Sequence, residues 1–272
     1  MQISPFHVRD FNPPEMPIVV SIPHCGIYVP EAISADFASD AIRRLPMTDW
    51  YLHHLYDFLP SLGVTTIYAT YSRFVADLNR PPDDKPLYPG RFETGFVALK
   101  TFWGDDIYRT APTREEVEHR RLLVHAPYHA RLLELLQSKI TRFGSVVLID
   151  AHSVASRANL LHGELQHDVY LGDRDGTTNS GWLTENVEMS FRNAGLKAVR
   201  NHPYKGGYIT QHYGELDQVA ALQIEMRWGL YMDENQPDKA LQHSGFLPFK
   251  RTLRDVFENL VAEARQDKYR TK

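Results

Sequence analysis

Two apolar segments of the sequence each end close to a histidine. The segment 17–22 (PIVVSI) is followed by Pro-His-Cys-Gly, which places His24 just beyond it, and the segment 145–153 (SVVLIDAHS) carries His152 near its end. Both segments are short and rich in β-branched residues, as buried strands are. Because the carboxyl ends of parallel strands lie at one edge of a sheet, the two histidines could meet there. Imidazole is a common zinc ligand, so the pair predicts a metal site.

A catalytic zinc ion usually takes three protein ligands, and Asp49 is the best candidate for the third. It lies in the motif TDWY, where the pattern predicts the start of a helix over 48–62, close in sequence to His24. An aspartate in a first helical turn also complements the helix dipole without any metal, so that alternative stays open. Asp150 is expected on the opposite face of the strand from His152, where it could orient a neighbouring group.

Several cationic and amide side chains could bind an anionic substrate. Asn79 and Arg80 end the segment ADLNR, and a guanidinium beside an amide matches a carboxylate well. Arg73 is a second cation close by, and Lys205 lies in the glycine-containing turn HPYKGGYIT. Each cation could equally belong to an exposed salt bridge.

Glu225 and Arg227 alternate within QIEMRW, a segment that is otherwise apolar enough for a buried strand. Unpaired buried charges are costly, so the two side chains either neutralise each other or serve a reaction. A glutamate beside a metal and its water would serve as a general base, with its pKa raised by burial.

Other candidate groups have simpler interpretations. Cys25 follows His24, but adjacent side chains on an extended segment point to opposite sides. We therefore interpret Cys25 as a packing residue, with a cysteine hydrolase as an alternative. His125 and His129 have the spacing of a helical metal site, yet they lie among leucines and lack the adjacent glutamate, which favours a structural role.

The elements that must position these residues alternate along the chain. The stretch 81–95 carries four prolines and two glycines and predicts a long loop, which in a compact domain is often functional. The alternation predicts a single α/β domain over 1–272 with a mostly parallel mixed sheet. Strands are predicted at 17–22, 65–72, 145–153, 168–173 and 221–228, with another suggested at 74–78, and helices at 48–62, 113–143, 178–194 and 248–266.

Composition restricts the partners and the environment. The net charge of −4 argues against broad nucleic-acid binding, although local arginines could still bind a small anion. The single cysteine excludes an intramolecular disulfide and favours a reducing cytoplasm. The first residues lack the pattern of a signal peptide, and no run of about 18 apolar residues predicts a membrane span.

Six motifs occur in the order PHCG, TDWY, ADLNR, DAHS, PYKGGY and IEMR, between about residue 15 and residue 230. With them the sequence resembles the N-formylglutamate amidohydrolases (N-formylglutamate deformylases), a family similar in fold to zinc carboxypeptidases and aspartoacylases. The resemblance implies a three-layer α/β fold like that of the zinc-dependent exopeptidases (phosphorylase/hydrolase-like), with helices on both faces of the sheet.

The resemblance also implies a reaction, the metal-dependent cleavage of N-formyl-L-glutamate to formate and L-glutamate in histidine degradation. The metal would be zinc or another single divalent ion. Carboxypeptidases take their second ligand from His-x-x-Glu, but position 27 here is Ile27, so that role would pass to Asp49. The alternatives are a hydrolase of another N-acyl amino acid or small peptide, and a metal-binding or amino-acid-binding protein without turnover. The resemblance implies the metal ligands His24, Asp49 and His152, the base Glu225, and the substrate-binding residues Asn79 and Arg80. From the sequence itself we add Arg73, Lys205 and Arg227 as further substrate-binding candidates.

Overall fold

The structure, a computed structural model that describes residues 3–266, is built on one seven-stranded mixed sheet. Both faces of the sheet are covered by helices. Within residues 3–266, no helix combines the length and the apolar character that crossing a bilayer requires. The strands are β1 (Phe6–Arg9), β2 (Ile18–Ile22), β3 (Thr65–Ala69), β4 (Val146–Val154), β5 (Val169–Gly172), β6 (Ala198–Arg200) and β7 (Val219–Arg227). The α-helices are α1 (Glu31–Ser34), α2 (Asp40–Arg43), α3 (Leu52–Leu55), α4 (Arg114–Arg120), α5 (Ala126–Phe143), α6 (Trp182–Asn193), α7 (Tyr208–Gly214) and α8 (Phe246–Ala264). Short 3₁₀ helices lie at Leu59–Leu62, Trp228–Leu230 and Pro237–Gln242.

The strands follow the spatial order β1-β3-β2-β4-β7-β5-β6. The four strands β3, β2, β4 and β7 are parallel, whereas β1 joins β3 and β5 joins β7 in antiparallel pairs. Every residue of β2 and β4 is buried, as expected for parallel strands that are covered on both faces. The α/β fold with a mixed sheet that the sequence predicts is therefore confirmed.

Alternate side chains of the central strands enter two cores. Ile18, Val20 and Ile22 of β2 pack in the core that contains α6 and α8, whereas Val19 packs in the core that contains α5 and α7. This alternation anchors each central strand on both sides. The carboxyl ends of the strands are thus held in fixed positions relative to one another.

The predicted helix at 113–143 is present, and Thr113 caps it as the sequence indicates, with Glu116 completing the capping box. It runs through α4, a π-helical turn at Arg121–His125, and α5. Pro127 in the first turn of α5 has no N–H to donate, and the wider π turn directly before it accommodates this loss.

Two sequence predictions for residues 48–78 are wrong. The helix predicted over 48–62 is reduced to α3, because Tyr51 has a positive φ of 55° and Pro60 enters a 3₁₀ turn. The strand suggested at 74–78 is a series of turns, in which the Asp77 amide donates to the Phe96 carbonyl instead of a neighbouring strand. The apolar side chains of this segment serve the core, which explains why it resembles a strand.

The sequence analysis did not predict several short or half-exposed elements. The edge strand β1 is only four residues long and has no buried residue, and β6 has three residues. The helix α7 begins directly after the glycine pair of the turn that the sequence indicated.

Gly26 gives a stability test of how the end of β2 packs. A Cβ at this position would lie 2.2 Å from the Tyr71 carbonyl oxygen and 2.7 Å from that of Thr70. Because these contacts are with backbone atoms, we expect Gly26→Ala to lower the free energy of unfolding by about 1–3 kcal/mol. Urea denaturation measures the effect. Gly163→Ala is the matched control, since a Cβ there meets open space, and an equal loss in both variants would contradict the packing argument.

Candidate active site

A cavity of about 620 Å³ lies at the carboxyl ends of β2, β4 and β7. Its lining includes His24, Asp49, His152 and Glu225, together with aromatic walls such as Trp103. This is the edge at which α/β sheets bind their ligands. The structure therefore brings the predicted metal ligands and the predicted base into one cavity.

The three predicted metal ligands form a buried cluster. The ring centroids of His24 and His152 are 4.7 Å apart. Asp49 lies in the turn before α3, and its backbone amide donates to the His24 carbonyl at 3.0 Å, which ties that turn to the end of β2. Asp49 Oδ2 lies 3.2 Å from His152 Nδ1 and 4.0 Å from His24 Nδ1. One ligand atom from each residue falls within 4.8 Å of the others, a separation that one metal ion can bridge.

Each imidazole is oriented by a further carboxylate at its Nε2 atom, on the side of the ring away from Asp49. His24 Nε2 lies 2.7 Å from Asp77 Oδ1, and His152 Nε2 lies 2.9 Å from Asp150 Oδ1. The Nδ1 atoms of both rings are thereby left facing Asp49. Histidine ligands of metals are commonly held in this way, so the donor set fits one divalent cation.

The expectation that Asp150 faces away from His152 was wrong. Residues two apart on a strand share a face, and β4 stays regular through both positions. Asp150 also accepts hydrogen bonds from the side chains of Asn79 at 3.0 Å and Thr210 at 3.2 Å. It is therefore a fully buried anchor for the His152 ring.

Burial and neighbouring charges act differently on the two histidines. Burial, with the charge of Arg73, lowers the pKa of His24 to about 4, so its ring is neutral as a metal ligand must be. Burial also lowers the pKa of His152, but the charge of Asp150 and hydrogen bonds to Asp150 and Asp49 outweigh it and place this pKa well above its usual value. A cation at His152 Nδ1 would therefore displace a proton.

Glu225 lies on β7 directly opposite His152 of β4. Burial raises the pKa of the Glu225 carboxyl to about 8, with His152 opposing and Asp49 reinforcing the shift. Gln223 donates to Glu225 Oε2 at 2.9 Å and accepts from the Gly207 amide at 2.7 Å. A carboxyl that is fixed in place and titrates near neutral pH can both take up and return a proton.

Two of the predicted substrate-binding cations line the cavity. Arg73 is buried, pairs with Asp77 at 2.6 Å and lies over the ring of Phe102 at 5.0 Å. Arg80 is half-buried and donates to the carbonyl and the hydroxyl of Thr94 at 2.7 and 3.2 Å, and to the Asn79 carbonyl at 2.9 Å. Both guanidinium groups are thus held in fixed orientations at the cavity wall.

Asn79 also lines the cavity, but its side-chain amide is hydrogen-bonded to other protein groups. Its amide nitrogen lies 2.8 Å from His152 Nε2 and donates to Asp150, while its oxygen accepts from the Ile209 backbone at 2.7 Å. Gly207 packs against the same amide, because a Cβ at that glycine would lie 2.4 Å from it. The side chain therefore connects the metal-ligand cluster to the glycine turn.

Lys205 and Arg227 are not brought into the cavity. Lys205 pairs with Asp175 at 2.6 Å, on the turn that follows β5. Arg227 pairs with Asp168 at 2.7 Å, because β5 runs antiparallel to β7 and starts beside the end of β7. The side chains of Arg227 and Glu225 therefore have different partners, although the two residues are only two positions apart on β7.

Cys25 and the helical histidine pair have structural surroundings. The Cys25 thiol is buried between the carbonyls of Ile22 and Ala69, and burial raises its pKa, which disfavours the thiolate. His125 and His129 contact the carbonyls of Arg80 and Leu78, so they support the segment that carries the candidate anion-binding residues.

Three residues of the site were missed by sequence reasoning. Asp77 lies in the ADLNR motif, where only the last two residues drew attention, and Gln223 precedes Glu225 by two positions on the same strand face. The alternation of β7 could have indicated Gln223. Tyr204 lines the cavity from the turn in which Lys205 was singled out, and no spacing signal marks it.

Comparison with known proteins gives a consistent result. The model of the N-formylglutamate amidohydrolase family matches residues 16–232, a range that includes all three candidate metal ligands and Glu225. A curated relative from Pseudomonas putida, named N-formylglutamate deformylase, is 37% identical over 235 residues, which are 85% of this chain and 87% of the relative. Another from Pseudomonas aeruginosa with the same name is 38% identical over 264 residues, or 95% and 98% of the two chains.

Solved structures agree with these relatives. The crystal structure of N-formylglutamate amidohydrolase from Ralstonia eutropha JMP134 superimposes with a TM-score of 0.82 at 29% identity and covers 97% of this chain and 100% of that one. A protein from Agrobacterium tumefaciens has a TM-score of 0.71 at 19% identity, with 98% and 96% coverage, which shows likeness of fold alone.

The contact between Asp150 and His152 gives a test of metal binding by the cluster of His24, Asp49 and His152. Asp150→Asn keeps the shape of the side chain but removes the charge that orients the ring, so we expect zinc affinity to fall about 10–100-fold. Competition with a chromogenic chelator measures this affinity. Asp168→Asn is the control, because Asp168 pairs with Arg227 outside the cavity. Zinc binding as tight in Asp150→Asn as in the unmodified chain would contradict the role of Asp150.

Proposed function

The chain belongs to the N-formylglutamate amidohydrolase family, and from this premise we propose that it hydrolyses N-formyl-L-glutamate to formate and L-glutamate with one bound divalent metal ion. One observation carries the proposal. The buried cluster of His24, Asp49 and His152 shares a cavity with Glu225 and with two fixed guanidinium groups. Together these groups supply what hydrolysis of an anionic amide needs.

The cluster is the proposed metal site, with His24 Nδ1, Asp49 Oδ2 and His152 Nδ1 as the ligand atoms. Two imidazoles and a carboxylate suit zinc, which is our choice among the divalent ions. When bound there, such an ion would polarise the formyl group and make water more acidic. The carboxylates of Asp77 and Asp150 would keep both rings in position for it.

Glu225 is the proposed general base and acid. Its carboxylate takes a proton from the attacking water while the new C–O bond forms at the formyl carbon. The same carboxyl then returns the proton to the nitrogen as the C–N bond breaks, which releases formate and the free amino group of glutamate. Gln223 holds Glu225 Oε2, so Oε1 is the oxygen that we assign to proton transfer.

Arg80 and Arg73 are the proposed contacts for the carboxylates of the substrate. Three of the five N–H donors of Arg80 are used by Thr94 and Asn79, which fixes the plane of the fork. Holding the substrate at its carboxylates would orient the formyl carbon towards the base. Asn79 receives a positioning role, since its amide already contacts Asp150 and His152.

We further propose that the fold is related to that of the zinc-dependent exopeptidases and acts as one domain. In support, the candidate ligands His24 and His152 lie just after β2 and near the end of β4, two central parallel strands, while the candidate base lies on the adjacent β7. Elements from both ends of the chain share the same sheet and its two cores, from β1 to α8.

A formate-release assay tests the proposed function. The zinc-loaded chain is expected to release formate from N-formyl-L-glutamate, to lose this activity when a chelator removes the metal, and to regain it when zinc is restored. Faster hydrolysis of N-acetyl-L-aspartate or a dipeptide would shift the proposal to another N-acyl substrate. Absence of turnover on all of these substrates would favour a binding protein, and full activity after verified metal removal would eliminate the metal from the reaction.

Replacement of Glu225 tests the assignment of the base. Glu225→Gln keeps the size of the side chain but cannot take up the proton of water, so we expect kcat to fall by at least about 100-fold while the substrate still binds. Steady-state kinetics and calorimetric binding measure the two effects. Cys25→Ala is the control and should keep its activity, because the thiol is buried outside the cavity lining. Near-normal turnover of Glu225→Gln would remove Glu225 from this role.

A further inference from the structure

The hydroxyl of Tyr204 is buried at the cavity and has no hydrogen-bond partner among residues 3–266. Most buried polar groups are paired, because an unpaired one destabilises the fold. A buried tyrosine that only needed to fill space would be replaced by phenylalanine at no loss. The hydroxyl is therefore available to a partner that enters the cavity.

The ring of Tyr204 is held firmly in place. Its edge contacts are with Tyr170, at 5.9 Å between centroids, and with His162, at 5.6 Å. The turn that follows is anchored as well, because the Gly207 amide donates to Gln223 and the Gly206 carbonyl accepts from Arg174. The phenol is thus presented at a fixed position and loses little conformational freedom when a ligand binds.

The charges that act on Tyr204 are those of the reaction site. Burial raises the pKa of the Tyr204 hydroxyl well above its usual value, and the carboxylates of Glu225 and Asp49 raise it further, while Arg73 opposes them. The hydroxyl therefore stays protonated and can donate. Because Glu225 and Asp49 act on this hydroxyl, it lies in the part of the cavity where the reacting amide would sit.

We infer that Tyr204 is a catalytic residue whose hydroxyl donates a hydrogen bond to the formyl oxygen of the substrate as that oxygen gains negative charge. The phenol keeps its proton throughout, and no covalent bond to it forms or breaks. The inference rests on the proposed function and adds a residue that acts at the reacting atoms. A fixed donor aimed at developing charge stabilises the transition state more than the bound substrate.

Tyr204→Phe tests this role, because it removes only the hydroxyl. We expect kcat for formate release to fall about 100-fold with KM little changed, since loss of one donor to a developing oxyanion costs about 10²–10³ in kcat. The unfolding temperature is expected to stay the same or rise, because no protein hydrogen bond is lost. Tyr128→Phe is the matched control. Its hydroxyl pairs with the Ser21 hydroxyl at 2.9 Å outside the cavity lining, so that variant should lose stability and keep its kcat.

Any other outcome of the Tyr204→Phe experiment would contradict the inference, and the measured quantity that changes would show why. Unchanged kcat in Tyr204→Phe would show that the hydroxyl does not contact the reacting group, while formate release by the unmodified chain would leave the proposed function intact. A raised KM with unchanged kcat would place the hydroxyl on the bound substrate only. A lowered unfolding temperature would reveal a structural partner for the hydroxyl. If the unmodified zinc-loaded chain releases no formate, the proposed function itself fails, and this role fails with it.

Discussion

The site depends on the neutralisation of four buried carboxylates at one end of the sheet. Asp49, Asp77, Asp150 and Glu225 are all nearly inaccessible to solvent. Buried charges of one sign repel each other and must be balanced by cations or by protons. Asp77 is balanced by Arg73, Asp150 by the protonated ring of His152, and Glu225 by its raised pKa. Among the described residues no lysine or arginine lies within salt-bridge distance of Asp49, and Asp49 is the carboxylate that faces the Nδ1 atoms of both rings. A divalent cation held by Asp49 and the two rings, as proposed above, would add positive charge where these carboxylates converge.

The sheet fixes the relative positions of the charged groups that neutralise one another. His152 and Glu225 are register partners on parallel strands, so their separation is set by backbone hydrogen bonds and not by the side chains. Gly207 extends this rigidity to the loops, since its missing side chain lets the turn touch Asn79 and donate to Gln223. Asp150, Gln223 and Gly207, which orient the candidate ligand His152 and the candidate base, therefore lie on strands or in a tightly packed turn, which reduces the reorganisation needed during a reaction.

Sequence reasoning succeeded where strand order was not needed. His24 and His152 lie near the ends of two apolar runs, and any parallel sheet brings such ends to one edge. It failed where a strand direction or a loop path decides the partner. Arg227 meets Asp168 only because β5 is antiparallel to β7, and apolar alternation does not encode strand direction. Lys205 meets Asp175 only because two turns that are separate in sequence touch. Sequence spacing could not identify Tyr204, because its proposed role depends on a buried hydroxyl that has no hydrogen-bond partner among the described residues.

Two of the arginines that line the cavity, Arg73 and Arg80, differ in the charge that remains available to a ligand. Arg73 is paired with Asp77 at 2.6 Å in a buried environment, so much of its field is cancelled by its partner. Arg80 is held by a hydroxyl and two carbonyls, which orient the guanidinium but carry no net charge. Its positive charge is therefore less cancelled by direct partners than that of Arg73, and part of its conformational entropy is already lost in the free protein. Under the proposed function, we expect Arg80 to contribute the larger share of carboxylate binding and Arg73 to act mainly by keeping Asp77 ionised behind His24.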